Sequence, residues 1–145
     1  MIEVSRKTAL ITGASGGLGY EFSKILASEN YDLVLVARNQ QKLEEIKEVL
    51  EKEFGIQAYV CVADLAVVDA AKEVYQYVKN DDLNVDVLIN KAGFGDVGPF
   101  LQGDWNRYYS MMQVNMIALV QMTHCFLPDM IEKQSGKILN VASVA

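Results

Sequence analysis

The stretch TALITGASGGLG, Thr8 to Gly19, decides how this chain is read. Thr8 to Thr12 is a short apolar run that stops at Gly13, the pattern of a buried strand. Gly13, Gly16, Gly17 and Gly19 then crowd a turn, and Leu18 opens a segment to Asn30 in which Leu18, Phe22, Ile25 and Leu26 fall at helical spacing. A glycine turn between strand and helix leaves no Cβ in the way of a diphosphate. It aims backbone N–H groups at the anion and adds the partial positive charge of a helix N-terminus. Gly13, Ser15, Gly16, Gly17, Leu18 and Gly19 are therefore the first candidate binding residues, with the Ser15 hydroxyl available to a further phosphate group beyond the diphosphate.

Outward from this turn, strand and helix patterns alternate without a break. Asp32 to Ala37 is a second apolar strand. Asn39 can cap a helix that carries Leu43, Ile46, Leu50 and Phe54 on one face, and Gly55 ends it. Gln57 to Val62 is a third strand, followed by Asp64, and Val67 to Lys79 is a helix with Ala71, Val74, Tyr75 and Val78 inward. Val85 to Ile89 is a fourth strand, ending at Asn90. A glycine-rich loop runs from Gly93 to Gly103, Asp104 caps a long helix towards Ile131, and Lys137 to Val141 is a fifth strand. Continuous Val/Ile/Leu strands joined by helices specify an α/β fold, a Rossmann-like, doubly wound parallel sheet. No linker or repeat interrupts it, so residues 1–145 read as a single, incomplete domain.

Composition narrows the class. With 51% hydrophobic and 22% charged residues the chain is far from a disordered one, and a net charge of −6 argues against nucleic acid held by a basic surface. Cys61 and Cys125 sit in apolar stretches without metal-ligand spacing, which predicts buried thiols in a reducing, cytoplasmic setting and no metal. No long apolar core of a leader peptide follows the N-terminal charges. Ser110 to Leu127 is apolar but holds Gln113, Asn115, Gln121 and His124, which predicts a buried helix rather than a membrane span. Met111, Met112, Val114, Met116, Ile117, Leu119, Val120 and Met122 make that helix apolar nearly all round. One face is expected on the sheet and the others on a neighbouring helix or second subunit.

The end of the second strand bears on the cofactor. In dinucleotide-binding folds an acidic residue about 20 positions past the glycine turn holds the ribose 2′-hydroxyl. Ala37 stands in that slot with Arg38 and Asn39 beside it. A carboxylate would repel a 2′-phosphate and a guanidinium attracts one, so this pairing predicts NADP(H) rather than NAD(H).

Thr12-Gly13-x-x-x-Gly17-x-Gly19 resembles the glycine motif of the short-chain dehydrogenase/reductase family, and later landmarks keep the same order. Asp64-Leu65 follows the third strand, Asn90-Lys91-Ala92-Gly93 the fourth, Asn115 lies in the long helix and Ser143 follows the fifth strand. The resemblance covers the whole chain. It implies a nicotinamide dinucleotide cofactor, its adenine at Asp64 and Leu65 and its remainder beside Asn90, Ala92 and Gly93. It implies a small carbonyl or alcohol substrate whose oxygen meets the Ser143 hydroxyl, with Asn115 holding a backbone group and a relay water.

Two departures stand out. Lys91 replaces the second asparagine of the family's usual Asn-Asn-Ala-Gly and puts a long cation near the cofactor cleft. The family's Tyr-x-x-x-Lys, general acid and its partner, belongs beyond Ser143, and the sequence runs to Ala145. Tyr108 and Tyr109 have no lysine four positions on. Loss of a positioned acid commonly costs on the order of 10²–10⁴ in rate, so these 145 residues alone are expected to be inactive. Domains of this type usually run to roughly 200–250 residues, so the sheet is expected to stop after the fifth strand. Homo-oligomerisation is expected through the long apolar helix and the face left exposed. The competing readings are a non-catalytic NADP(H)-binding or association module, and half of a site completed by another chain. Substrate identity is not legible; Phe94, Phe100 and Leu101 are candidate wall residues.

Overall fold

The computed structural model describes residues 5–143, so residues 1–4 of the N-terminal segment read for a leader lie outside it. β1 (Thr8–Thr12) is buried at every position, because it runs between two neighbouring strands and is covered on both faces. With β2 (Asp32–Ala37), β3 (Ala58–Val62), β4 (Val85–Asn90) and β5 (Lys137–Asn140) it forms one parallel sheet in the order β3-β2-β1-β4-β5. The two-residue period of a strand sends Ala9, Ile11, Leu33 and Leu35 to one face, where Ala27, Leu43, Ile46 and Leu50 cover them. Leu10, Val34, Val36 and Leu88 point to the other face and meet Ala71, Val74, Val78, Met122 and Phe126. The doubly wound sheet expected from the sequence is therefore the observed one.

Three helices differ in detail from their sequence reading. α1 (Gly17–Ser28) exposes Leu18 and Ile25, both more than half open to solvent, and buries Gly19, Ser23 and Ala27 instead. The cause is proximity. The helix starts so close to the glycine turn that only a stripe of small residues fits beneath it, and the Ser23 hydroxyl turns inward to donate to the Gly19 carbonyl at 2.8 Å. α2 (Gln40–Phe54) starts and stops as expected: the Asn39 side chain accepts from Lys42 N–H at 3.0 Å, and Gly55 takes the left-handed conformation.

α3 (Ala70–Asn80) begins three residues later than Val67. The Asp64 carboxylate accepts from Ala66 N–H and its carbonyl from Val67 N–H, which closes a turn, and Asp69 at φ +64° breaks any earlier helix. The long helix is three pieces: α4 (Trp105–Met112), capped by Asp104, a π-helical turn over Gln113–Ala118, and α5 (Leu119–Glu132). Val114, Ala118, Met122, Phe126 and Met130 form its buried stripe, while Met112, Met116, Ile117, Val120, Leu127 and Ile131 stay exposed. Trp105–Glu132 is by length and composition apolar enough to cross a membrane; in the fold its buried stripe is sealed on the sheet. Asp129 ties α5 to α3 by accepting from Tyr75 and pairing with Lys79.

Candidate functional site

The C-terminal ends of β1 to β4 open into a cleft of about 710 Å³. It lies where the strand order reverses between β1 and β4, the place at which open α/β sheets offer a crevice. Of the candidate residues, Gly13, Ser15, Gly16, Arg38, Asn39, Asp64, Leu65, Ala92 and Gly93 line it together. Gly13 at φ +65° and Gly17 at φ +54° let the chain turn sharply out of β1. Gly19 is buried below the turn, where a Cβ would lie 2.1 Å from the Gly13 carbonyl oxygen. Gly16 also lines the cleft, and a Cβ there would meet nothing within 4 Å. No side chain caps α1, so none competes with a ligand for its first N–H groups.

Thr12 organises the opposite wall. Its Oγ1 accepts from the N–H groups of Lys91 and Ala92, at 3.0 and 2.9 Å, which clamps the loop after β4 against the glycine turn. The sequence marks Thr12 as the strand end that opens the glycine motif, but its two bonds to the loop after β4 depend on the packing of β4 beside β1. Asn90 is buried beneath this wall. Its Nδ2 donates to Thr123 Oγ1 and Asn140 Oδ1, tying β4 to α5 and β5, and its Oδ1 is buried without a partner among the described residues.

Asn115 sits in the π-helical turn, a distortion that tends to mark functional positions. Its carboxamide accepts from Phe94 N–H at 3.0 Å and donates to Phe94 O at 2.8 Å, so it holds the loop backbone with both ends. Gly93 makes that approach possible, since a Cβ there would stand 3.0 Å from Asn115 Oδ1. Ser143, exposed, follows β5 outside the cleft lining. Gly17 and Leu18 lie exposed at the start of α1.

Two cleft cations, Arg38 and Lys91, have no carboxylate partner among the described residues, whereas Arg107 pairs with Asp96 at 2.9 Å and lies over the Phe94 ring. Phe94 lines the cleft. Phe100 and Leu101 do not; both are largely exposed, with Phe100 stacked on Tyr108. Arg107, Ser110 and Val114 also line it from α4 and the π turn, a contribution that helical periodicity alone does not reveal. Open space at Gly16, an uncapped helix start and unpaired guanidinium and ammonium groups together suit an elongated polyanion. Among the described residues no group of three or more His, Cys, Asp or Glu gathers as for a metal ion.

A family model described as short chain dehydrogenase matches residues 7–145. A fatty acyl-CoA reductase of Acinetobacter baylyi is 35% identical over 144 residues, covering 97% of this chain and 48% of that protein. Among solved structures, a short-chain dehydrogenase from Sphingobium yanoikuyae in complex with NADPH superposes with a TM-score of 0.88 at 31% identity, over 95% of this chain and 54% of that one. The L-sorbose reductase of Gluconobacter frateurii, complexed with NADPH and L-sorbose, superposes with a TM-score of 0.90 at 27% identity, over 99% and 54%. The chain thus spans about half the length of these relatives.

Proposed function

This chain belongs to the short-chain dehydrogenase family, and from that premise we propose that it is the cofactor-binding part of an NADP(H)-dependent oxidoreductase that interconverts a carbonyl and an alcohol. One observation carries the cofactor choice. Arg38 lines the cleft without a carboxylate partner among the described residues, directly after Ala37, which stands where an acid would hold a ribose 2′-hydroxyl. When bound, the dinucleotide supplies or takes up the hydride. The chain's own residues hold and orient it: the glycine turn and α1 take the diphosphate, Asp64 and Leu65 the adenine end, and Ala92 and Gly93 the ribose side. Asn115 fixes the Gly93–Phe94 backbone against that wall. Ser143 donates to the substrate oxygen, and the proton comes from a tyrosine and lysine outside these residues. By themselves, then, the 145 residues bind without turnover. A second copy is proposed to cover the outer face of the long helix, where Met112, Met116, Val120 and Ile131 are exposed.

The test is calorimetric titration of NADPH and NADH into the protein expressed over its full reading frame. NADPH is expected to bind at least about tenfold more tightly. Arg38→Ala is expected to remove that margin, a charge-assisted hydrogen bond being worth about 1.5–3 kcal/mol. Equal or tighter binding of NADH by the unaltered protein sinks the cofactor assignment. Light scattering tests the assembly: a monomer at micromolar concentration overturns the second-copy proposal.

A further inference from the structure

The side chain of Lys91 lies along the glycine turn. A Cβ built on Gly13 would come within 3.1 Å of Lys91 Cδ, and one built on Gly17 would stand 3.8 Å from Lys91 Nζ. The aliphatic stem therefore crosses the start of the turn, and the ammonium ends beside the residue that opens α1. Lys91 lines the cleft and has no ion-pair partner among the described residues. The acidic groups that line the same cleft are engaged elsewhere: Asp64 accepts from Ala66 N–H, and Asp104 caps α4. The position is also fixed, because Lys91 N–H is bonded to Thr12 Oγ1 and the next residue's N–H to the same oxygen.

We propose that Lys91 is a phosphate-binding residue that neutralises the cofactor's diphosphate at the glycine turn. An asparagine at this position offers no charge there. This proposal rests on the dinucleotide reading given above. A diphosphate on the turn otherwise meets only backbone dipoles, and an ammonium beside them adds a full positive charge within reach of its oxygens. Arg38, at the end of β2, serves the 2′-phosphate instead. The two cations therefore divide one ligand between them, and their effects on affinity separate.

The experiment titrates NADPH, NADH and adenosine 2′-monophosphate into the full-reading-frame protein and its Lys91→Met, Lys91→Arg and Arg38→Ala variants. Circular dichroism melts check each fold, and Lys91→Gln stands in if the methionine variant is unstable. Lys91→Met is expected to weaken NADPH and NADH by the same factor, about five- to twentyfold, to leave the 2′-monophosphate unchanged, and to flatten the salt dependence of binding. Lys91→Arg is expected to retain most of the affinity. Arg38→Ala is expected to weaken NADPH and the 2′-monophosphate but not NADH. Unchanged or tighter NADH binding in Lys91→Met overturns the proposal, the second result meaning that the lysine obstructs the turn. A loss confined to NADPH also overturns it, by moving Lys91 to the 2′-phosphate. If the unaltered, folded protein binds neither dinucleotide, the cofactor reading falls first and this proposal with it.

Discussion

Replacing Gly19 by alanine sets two effects of opposite sign against each other. Gly19 lies in the first turn of α1, and glycine-to-alanine within a helix ordinarily stabilises by about 0.5–1 kcal/mol through backbone entropy. Here the added methyl would stand 2.1 Å from the Gly13 carbonyl oxygen, 2.8 Å from its carbon and 3.1 Å from Ala14 Cα. All three are backbone atoms, and Gly13 is the residue that leaves the central strand, so no side chain can swing aside. The helix must back off by roughly 1 Å, which opens the contacts of Ser23 and Ala27 behind it. Overpacking of this kind costs about 1–3 kcal/mol, and rigid backbone on both sides puts the cost at the upper end. The expected net loss is about 2 kcal/mol, a fall of roughly 1–2 M in the urea midpoint, together with weaker dinucleotide binding because the turn itself is displaced. Gly16→Ala is the control. Its φ of 175° suits any residue and its Cβ meets nothing within 4 Å, so stability should hold within about 0.5 kcal/mol, while an added methyl on this cleft-lining residue is expected to weaken NADPH about tenfold. An unchanged or raised midpoint in Gly19→Ala would refute the reasoning, since it would mean that helix propensity wins and the close approach carries no constraint.

Three other outcomes follow from the same contacts. Thr12→Val keeps the shape of the side chain but strips the acceptor from two N–H groups, and about 2 kcal/mol of stability should go with it, read by urea melts; a loss below about 0.5 kcal/mol would mean that water replaces the hydroxyl. Asn115→Ala removes both bonds to Phe94, so hydrogen exchange at the Phe94 amide should speed at least about tenfold while the strands keep their protection; equal exchange would show that the loop is held by other contacts. Burial, chiefly, pushes the Cys61 thiol up to about 11. Because its folded value lies above the ordinary 9.0, stability is fully present below about pH 9 and is lost as pH rises towards 11, by at most about 1.4 kcal/mol per pH unit. Cys61→Ser or Cys61→Ala should flatten that slope in melts taken across the window, and an unchanged slope would assign the alkaline loss to other groups.

The architecture is legible in the chain alone because the signals that specify it are local. A strand buried on both faces must be apolar where it is covered, as Leu33 to Val36 of β2 are, and a cap must sit next to its helix, as Asn39 and Asp104 do. The glycine turn was legible for the same reason, because a left-handed residue and a close approach leave glycine at fixed spacing. What tertiary structure decided depends on distances between segments far apart in the chain. Leu18 and Ile25 have the spacing of a core face, yet α1 buries Gly19, Ser23 and Ala27 because it starts against the Gly13 carbonyl. Asn115 falls in an apolar helix by sequence, and only the fold shows the π turn that carries it and the Phe94 backbone it clamps. Thr12 looked like the last residue of a strand until β4 was placed beside it. Lys91 shows the same division. Its sequence position puts a cation near the cleft, but only the packing of β4 against β1 lays that cation along the glycine turn.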